Sequence, residues 1–336
     1  MKRVAIIGAT GYTAWEAMRI LLVHPQAEVT YLTALKEECG PVAEAFPALE
    51  GRLEMEIEEL DLDRLASKAD VALCCLPHKA SMSYVGRLLG AGLKVVDFSA
   101  DYRMRDASLY EQVYQVKHVD RENLAQAAFG LPELFRDQIV GAKLVANPGC
   151  YPTAASLALA PLLKEGLVAA DDIVVNAVSG VTGAGRKASL AFHYPEMSQN
   201  LFAYSIGAHR HQPEIEQILR ESTGQAAEVL FVPHVAAFDR GIAESIYCRP
   251  LKEVDGGDLL DLYDRFYADE PFVRVLPRPP KLKDVVGTNF VDVYPMAVKG
   301  KVAVFATIDN LTKGAAGQAI QNMNLICGLE ETMGLI

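Results

Sequence analysis

"RVAIIGATGYTAWEAMRILLVHP", residues 3–25, decides the fold of this chain. The pattern predicts a short apolar strand (3–8), a turn with two glycines and an amphipathic helix (13–25). Gly8 and Gly11 permit a tight turn and let the backbone approach a diphosphate, while the helix N-terminus adds free N–H groups and a positive dipole end. The loop has the form G-x-x-G-x-x-A. Its position at the first strand–helix joint predicts a dinucleotide site; an ordinary glycine-rich turn is the alternative.

Strands and helices alternate from this loop to about residue 150. Further short runs rich in Val, Ile and Leu predict buried strands at 28–35, 70–77, 93–100 and 143–149. A second helical pattern covers 81–92. This alternation is typical of an α/β domain with a parallel, doubly wound sheet of the Rossmann type.

The pattern changes near residue 150. Strand candidates then follow one another directly, at 172–180, 228–238, 241–250, 272–277 and 289–310. Lys-Gly-Lys at 299–301 indicates a hairpin within the last of these, and one helix is expected at 257–269. A chain of 336 residues suits two domains. We therefore predict a dinucleotide-binding domain (1–149, plus a returning C-terminal helix at about 312–336). A second domain of α+β type with a mixed or antiparallel sheet is expected at 150–311.

Composition and charge narrow the class of protein. A formal net charge of -11 argues against nucleic acid as the main partner, because phosphate backbones require clustered Lys and Arg. No apolar run reaches the ~18–20 residues of a membrane helix, and the N-terminus lacks the pattern of a signal peptide. No membrane partner and a cytoplasmic location are therefore expected. The six cysteines include no C-x-x-C pair and are expected to be reduced thiols.

Cys150 lies in "LVANPGCYPTAASLALAPLLKEG", residues 144–166, between a predicted strand and a predicted helix. A helix N-terminus favours the thiolate, and the carboxyl edge of a parallel sheet is where such folds bind ligands. A thiolate beside a nicotinamide suggests attack on an acyl carbonyl, followed by reduction of the thioester by hydride. The alternative for Cys150 is a small buried hydrophobe.

Two histidines are candidates for the proton transfer that this chemistry needs. His209 and His211 lie in "YSIGAHRHQPEIEQIL", residues 204–219, just before a helix that Pro213 starts. A histidine titrates near pH ~6.5, which suits an acid or base. A metal site is disfavoured because a third ligand is not evident nearby, and a structural histidine pair is a further alternative.

Basic residues indicate where anions bind. Arg103 follows the fourth predicted strand, and Arg186 ends the glycine-rich stretch 179–189; both suit phosphate or carboxylate, or else form surface ion pairs. An acid at the end of the second strand would hold the ribose hydroxyls of NAD, but none occurs before Glu37. Thr33 and Lys36 could receive a 2′-phosphate instead, which favours NADP.

Several segments together resemble the N-acetyl-gamma-glutamyl-phosphate reductase family, an arginine-pathway branch of the aspartate-semialdehyde dehydrogenase-like superfamily. They are "GATGYT", "LPH", "DFSADYR", "FGLPEL", "LVANPGCYPTA", "SGVTGAGRK", "HRHQPEIEQ" and "IDNLTKGAAGQAIQNMNL", and they run from residue 6 to about 328. The chain departs from the family's usual pattern at Ala14-Trp15-Glu16-Ala17, where Gly-Ala-Glu-Leu is common, and at Ala34-Leu35, where Ser-Arg is common.

The resemblance implies an NADP(H)-dependent enzyme that reduces the small molecule N-acetyl-glutamyl phosphate to its semialdehyde and releases phosphate. It implies that Cys150 is the nucleophile and His209 the acid/base. Phosphate or substrate would be held by Arg103, Ser179, Arg186 and His211. The cofactor diphosphate would be held by Gly8, Thr10, Gly11, Tyr12 and Thr13, with Asn310 near the nicotinamide. The resemblance also implies a homo-oligomer, a tetramer or a dimer.

Other functions stay open at this stage. The same chemistry could act on an aminoadipyl or glutamyl phosphate bound to a carrier protein, as in lysine biosynthesis, although an acidic carrier would need a basic rim. Aspartate-semialdehyde dehydrogenase itself is disfavoured by the local pattern "HRHQPE". A silent NADP-binding sensor that uses Cys150, or a cysteine hydrolase that needs no nucleotide, would be different classes.

Overall fold

The computed structural model describes residues 1–336. The chain divides into two compact units, one formed by 1–148 and 315–336 and the other by 149–314. The strands are β1 (Lys2–Ile7), β2 (Ala27–Thr33), β3 (Gly40–Pro41), β4 (Glu56–Glu58), β5 (Val71–Cys74), β6 (Lys94–Asp97), β7 (Ala128–Phe129), β8 (Leu144–Ala146), β9 (Val168–Gly180), β10 (Leu201–Ala203), β11 (Val229–Ala236), β12 (Ile242–Pro250), β13 (Val273–Val275), β14 (Val291–Val298) and β15 (Lys301–Ile308). The helices are α1 (Tyr12–Leu21), α2 (Val42–Ala45), α3 (Leu62–Lys68), α4 (Val85–Gly90), α5 (Ala107–Tyr114), α6 (Arg121–Gln126), α7 (Pro132–Ile139), α8 (Cys150–Lys164), α9 (Tyr194–Met197), α10 (Gln212–Thr223), α11 (Gly256–Phe266) and α12 (Gly317–Cys327).

The first unit contains an eight-stranded sheet in the order β3-β4-β2-β1-β5-β6-β8-β7. All its pairings are parallel except β3 with β4. The predicted doubly wound sheet is confirmed, and the five predicted strands all occur. The prediction missed β3, β4 and β7, because pieces of two or three residues leave no apolar run to detect.

Apolar residues cover both faces of this sheet. Along β1, Val4 and Ile6 belong to one core cluster and Ala5 and Ile7 to another. A strand buried on both faces has no alternation, which is why 3–8 reads as one continuous apolar run. Helix α12 contributes Ile320, among others, to the first cluster, so the last part of the chain completes the core of the first unit.

The second unit contains a seven-stranded sheet in the order β10-β11-β9-β12-β15-β14-β13. Parallel pairs (β11 with β9, β13 with β14) occur beside antiparallel ones, so the predicted mixed sheet is confirmed. The hairpin at 299–301 joins β14 to β15, with Lys299 and Gly300 both at positive φ (47° and 72°), as a type I′ turn requires.

Four helix predictions need correction at their ends. The helix expected at 13–25 is α1, which ends at Leu21, and the pattern at 81–92 forms a 3-10 turn, Ser81–Ser83, followed by α4. The helix expected at about 312–336 begins with a π-helical turn, Thr312–Ala316, and its α-helical part is α12, which ends at Cys327. The helix expected at 257–269 is α11, which ends at Phe266. No helix is long and apolar enough to cross a bilayer.

Candidate active site

Cys150 is the first residue of α8, as the turn "NPGC" predicts. Gly149 caps the helix in an extended conformation, and its N–H donates to Oε1 of Glu214 at 2.8 Å. The Oγ1 hydroxyl of Thr153 donates to the carbonyl of Gly149 at 2.9 Å, which closes the first turn. Cys150 is half-buried, whereas Cys248 in the same unit is buried. The alternative of a sealed core thiol is therefore wrong for Cys150.

A cavity of about 460 Å³ opens beside this helix start. It lies wholly within the second unit, and its lining includes Cys150, Tyr151, Ser179, Tyr204, His209, Arg210 and His211. The structure thus brings the predicted nucleophile, both predicted histidines and the predicted serine to one cavity, although they come from distant parts of the sequence.

His209 is buried, and burial lowers its pKa to about 4, with a further lowering by the positive charge of Arg210. The expectation that its pKa stays near the ordinary value is therefore wrong. The N–H of His211 donates to Nδ1 of His209 at 3.1 Å. Because a neutral imidazole carries one proton and Nδ1 is the acceptor here, the proton lies on Nε2. His209 is thus a neutral ring with an N–H donor at Nε2.

Aromatic rings fix the orientation of His209. The rings of Tyr151, Tyr204 and Phe231 lie edge-on to it, with centroids at 5.8, 5.4 and 5.2 Å. The hydroxyl of Tyr151 donates to the carbonyl of His234 at 3.2 Å and lies 3.2 Å from the hydroxyl of Tyr204. Since the single proton of Tyr151 is used on His234, the hydroxyl of Tyr204 is the donor of the second bond, and its oxygen keeps acceptor capacity.

Sequence reasoning missed Arg210 and Gly314. The exposed side chain of Arg210 lines the cavity and supplies a positive charge beside His209. Gly314 leaves room for the nucleophile, because a Cβ there would lie 2.8 Å from Cβ of Cys150. The stretch "KGAAGQA" marked Gly314 only as part of a motif, and no local pattern reveals a contact with a helix so distant in sequence.

The remaining predicted residues of the second unit differ in how they lie relative to the cavity. Ser179 is buried at the end of β9, and its hydroxyl donates to the carbonyl of Gly180 at 3.0 Å. Arg186 is exposed and does not line the cavity. Asn310 is buried, and its Oδ1 accepts from the N–H of Gly241 at 2.6 Å while its Nδ2 donates to Thr182 at 3.0 Å. In this structure the amide of Asn310 supports neighbouring loops.

The nucleotide loop in the first unit suits a diphosphate. Gly8 has a φ of 86°, and a Cβ there would lie 2.7 Å from the carbonyl oxygen of Cys75, so only glycine fits. Gly11 precedes α1 and a Cβ there would meet nothing, so the space above the helix start is open. Tyr12 and Thr13 form the first turn of α1, where N–H groups point out of the helix. The predicted dinucleotide site therefore fits its residues.

The other residues of the first unit that were predicted to contact the 2′-phosphate or the substrate differ in their exposure. Thr33 is buried and its carbonyl accepts the N–H groups of Gly8 and Ala9, whereas Lys36 is exposed on a 3-10 turn. The burial of Thr33 disfavours contact with a 2′-phosphate. Arg103 is buried, and its Nε and one terminal nitrogen each donate to a backbone carbonyl at 2.7 Å.

Side chains of the types that bind metal ions are not grouped into a metal site in this structure. No group of three or more His, Cys, Asp or Glu side chains is arranged to hold a metal ion.

Two family models match the chain, one to each part. The model described as "Semialdehyde dehydrogenase, NAD binding domain" matches residues 3–142, and "Semialdehyde dehydrogenase, dimerisation domain" matches residues 150–310. Solved structures with the same fold include aspartate semialdehyde dehydrogenase II of Vibrio cholerae (TM-score 0.73, 16% identity, 97% of this chain and 98% of that one). The enzyme of Candida albicans solved with NADP is similar (TM-score 0.72, 16% identity, 97% and 98%). These likenesses show the fold.

Curated relatives are much more similar in sequence. The N-acetyl-gamma-glutamyl-phosphate reductase of Desulforudis audaxviator is 47% identical over 100% of this chain and 98% of its own length. The reductase of the same name from Rhodopirellula baltica is 44% identical over 99% of this chain and 98% of its own length. That of Geobacter sulfurreducens is 46% identical with 100% and 98% coverage.

Proposed function

Because the chain belongs to the N-acetyl-gamma-glutamyl-phosphate reductase family of semialdehyde dehydrogenases, we propose that it carries out the reaction for which those relatives are named. It reduces N-acetyl-L-glutamyl 5-phosphate to N-acetyl-L-glutamate 5-semialdehyde, with release of phosphate, in arginine biosynthesis. The observation that carries this is the half-buried thiol at the start of α8, which shares a cavity with His209 in a chain so similar to those reductases. A carrier-bound aminoadipyl or glutamyl phosphate is not favoured, since the relatives compared carry the other name.

Cys150 is the nucleophile of this mechanism. Its sulfur attacks the acyl carbon, the C–O bond to phosphate breaks, and the thiol proton leaves with the phosphate as hydrogenphosphate, so a thioester on Cys150 results. When held by the loop from Gly8 to Thr13, NADPH would supply the hydride for the reduction of this thioester. The hemithioacetal alkoxide then collapses to the aldehyde and the Cys150 thiolate, which takes up one proton from solvent.

The low pKa of His209 changes the acid/base role that the resemblance implies, and we propose that this residue serves the chemistry as a fixed hydrogen-bond donor. Its Nε2–H, oriented by the bond from His211 to Nδ1, donates to the oxygen that becomes negatively charged in each tetrahedral species. Because the pKa of His209 is held near 4, the ring stays neutral at physiological pH and the donor is permanently present. Stabilisation of charge by a preorganised donor typically contributes on the order of 10²–10³ in rate.

Anionic parts of the substrate are held by cations and polar groups. Arg210 and Ser179 line the cavity, and Arg210 has its charge exposed there for a phosphate or carboxylate. We assign further substrate contacts to Arg103, Arg186 and His211 on the resemblance alone. The loop from Gly8 to Thr13 holds the cofactor diphosphate, and Lys36, Thr33 and Asn310 remain candidates for other cofactor contacts.

The second sheet provides a surface for self-association. Leu230, Val174, Tyr247, Ala303 and Met296 lie in register across five strands on one face of the sheet. Leu230 is 49% and Tyr247 41% exposed, which is high for large apolar side chains in the middle of a sheet. A homo-oligomer in which a second copy covers this face also agrees with the family model's description of a dimerisation domain.

A cytoplasmic location is part of this proposal. The thiol of Cys150 must stay reduced to act as a nucleophile, and the cytosol keeps thiols reduced.

The reverse reaction tests the proposal. Phosphate-dependent oxidation of N-acetyl-glutamate semialdehyde with NADP⁺ should produce absorbance at 340 nm, and aspartate semialdehyde and aminoadipate semialdehyde should react far more slowly. Cys150→Ser should abolish turnover, whereas Cys39→Ser, which changes an exposed thiol of the first unit, should leave it intact. Turnover by Cys150→Ser, or equal rates with all three aldehydes, would refute the proposed mechanism or the proposed substrate respectively.

A further inference from the structure

Glu38 contacts the nucleotide loop in a way that its position in the sequence does not reveal. It follows β2 by five residues, at the end of the 3-10 turn Lys36–Glu38. The hydroxyl of Thr10, inside the loop, donates to Oε2 of Glu38 at 2.9 Å. Both side chains are accessible to solvent, so the carboxylate lies on the open side of the loop and beside the start of α1. Glu38 is therefore positioned where a bound dinucleotide would meet it.

Negative charge predominates around this carboxylate. Desolvation raises the pKa of the neighbouring Cys39 thiol, and the negative charges of Glu59, Glu37, Glu38 and Glu58 raise it further, so these four carboxylates lie close together. The cations here are Lys36, on the same turn, and Arg64, whose guanidinium forms an ion pair with Glu58. A phosphate dianion arriving at this edge would meet more negative than positive charge.

The general chemistry of dinucleotide sites indicates what the Glu38 carboxylate can bind. An acidic side chain near the end of the second strand accepts hydrogen bonds from the adenosine ribose hydroxyls of NAD, whereas NADP requires cations around its 2′-phosphate. The Thr33 hydroxyl, one of the two groups that the sequence offers to a 2′-phosphate, is buried. The Glu38 carboxylate, by contrast, is exposed, and it can accept a hydrogen bond from a ribose hydroxyl in place of the one from Thr10.

We propose that Glu38 sets the selectivity for the 2′ position of the cofactor, by accepting a hydrogen bond from the adenosine ribose, so that the chain takes NADH as well as NADPH. This rests on the proposed reductase function, and within that function it assigns a specificity residue. Lys36, at the exposed edge, allows the 2′-phosphate of NADPH to bind. The negative charge of Glu38 reduces the extra affinity that this phosphate would otherwise give NADPH over NADH.

Binding without turnover tests the assignment. The single tryptophan, Trp15, lies on α1 directly after the loop and reports nucleotide binding in the full-length protein by quenching and energy transfer to the dihydronicotinamide. We expect dissociation constants for NADH and NADPH within about tenfold of each other in the parent protein. In Glu38→Gln, the ratio should shift at least about tenfold towards NADPH, since both loss of an acceptor and loss of repulsion act in that direction. Competition by 5′-AMP and by adenosine 2′,5′-bisphosphate should shift in parallel.

Glu37→Gln is the matched control, because it removes the same charge from the same turn and Glu37 has no bond to Thr10. It should move the ratio much less than Glu38→Gln. An unchanged ratio in Glu38→Gln, or an equal shift in both variants, overturns the assignment. If both nucleotides bind with the expected shift but no semialdehyde is oxidised, the reductase proposal fails while the role of Glu38 stands. If neither nucleotide binds, both fail.

Discussion

Glu244 should make the stability of the second unit depend on pH in a way that one substitution removes. It lies on β12 between Ala177 of β9 and Ala306 of β15, and it is only 2% exposed. Neither carboxylate oxygen has a hydrogen-bond partner. Burial therefore raises the pKa of Glu244 well above its ordinary value, and no cation offsets this. The folded state holds the protonated form, whereas the unfolded chain ionises near pH ~4.3.

The sign and size follow from this difference. Because the folded pKa is raised, stability is full below about pH 4.3 and falls as the pH rises towards the folded pKa. The slope approaches about 1.4 kcal/mol per pH unit while the folded group stays protonated. Between pH 5 and pH 7 the loss attributable to Glu244 is thus up to about 2.6 kcal/mol.

Glu244→Gln removes the titration but keeps the shape. Urea midpoints followed by circular dichroism at pH 5 and pH 7, at constant ionic strength, should show that the parent loses more stability than the variant, by up to about 2.6 kcal/mol. The exposed Glu253→Gln should behave like the parent. Glu244→Met, which also removes the unsatisfied polar atoms, should be more stable than the parent at pH 7. Parallel pH dependences for the parent and Glu244→Gln would refute the reasoning.

Three further substitutions test the loop and the cavity. Gly8→Ala places a Cβ 2.7 Å from the carbonyl oxygen of Cys75, at a residue whose φ is 86°. We expect the free energy of unfolding to fall by at least about 2 kcal/mol, measured by thermal unfolding. An unchanged midpoint would contradict this. Gly314→Ala should slow both turnover and iodoacetamide labelling of Cys150 at least about tenfold with normal circular dichroism, and equal labelling would refute its role in making room. Arg210→Gln should raise the pKa of His209, measured from its Cε1 proton by NMR, because a nearby positive charge disfavours the imidazolium; no rise would contradict that coupling.

Local signals in the sequence were sufficient for the framework of the fold and for the position of Cys150 at the start of α8. The loop at Gly8 and the turn before Cys150 each depend on a few adjacent residues, so both could be predicted from the chain alone. The second-unit hairpin was equally local. The family inferred from these motifs is confirmed by full-length relatives.

Non-local packing explains what was not predicted. The low pKa of His209 depends on burial among Tyr151 and Phe231, which come from other elements. The contact of Glu38 with Thr10 depends on how a 3-10 turn folds back after β2. Glu244 could have been noticed, because period-two alternation places it on the face of Ile242 and Ile246, but only the structure shows that this face is the buried one.

Helix α12 has a consequence for how the protein is made. The first unit contains residues 1–148, yet its core also includes Ile320 and Met323, which are translated only after the whole second unit. During synthesis the nascent first sheet therefore waits with part of one apolar face uncovered while the second unit is translated. A premature stop before residue 315, or a bulky fusion that disturbs α12, should damage the nucleotide unit although most of that unit is already translated, and chaperones should associate with the polypeptide throughout that interval.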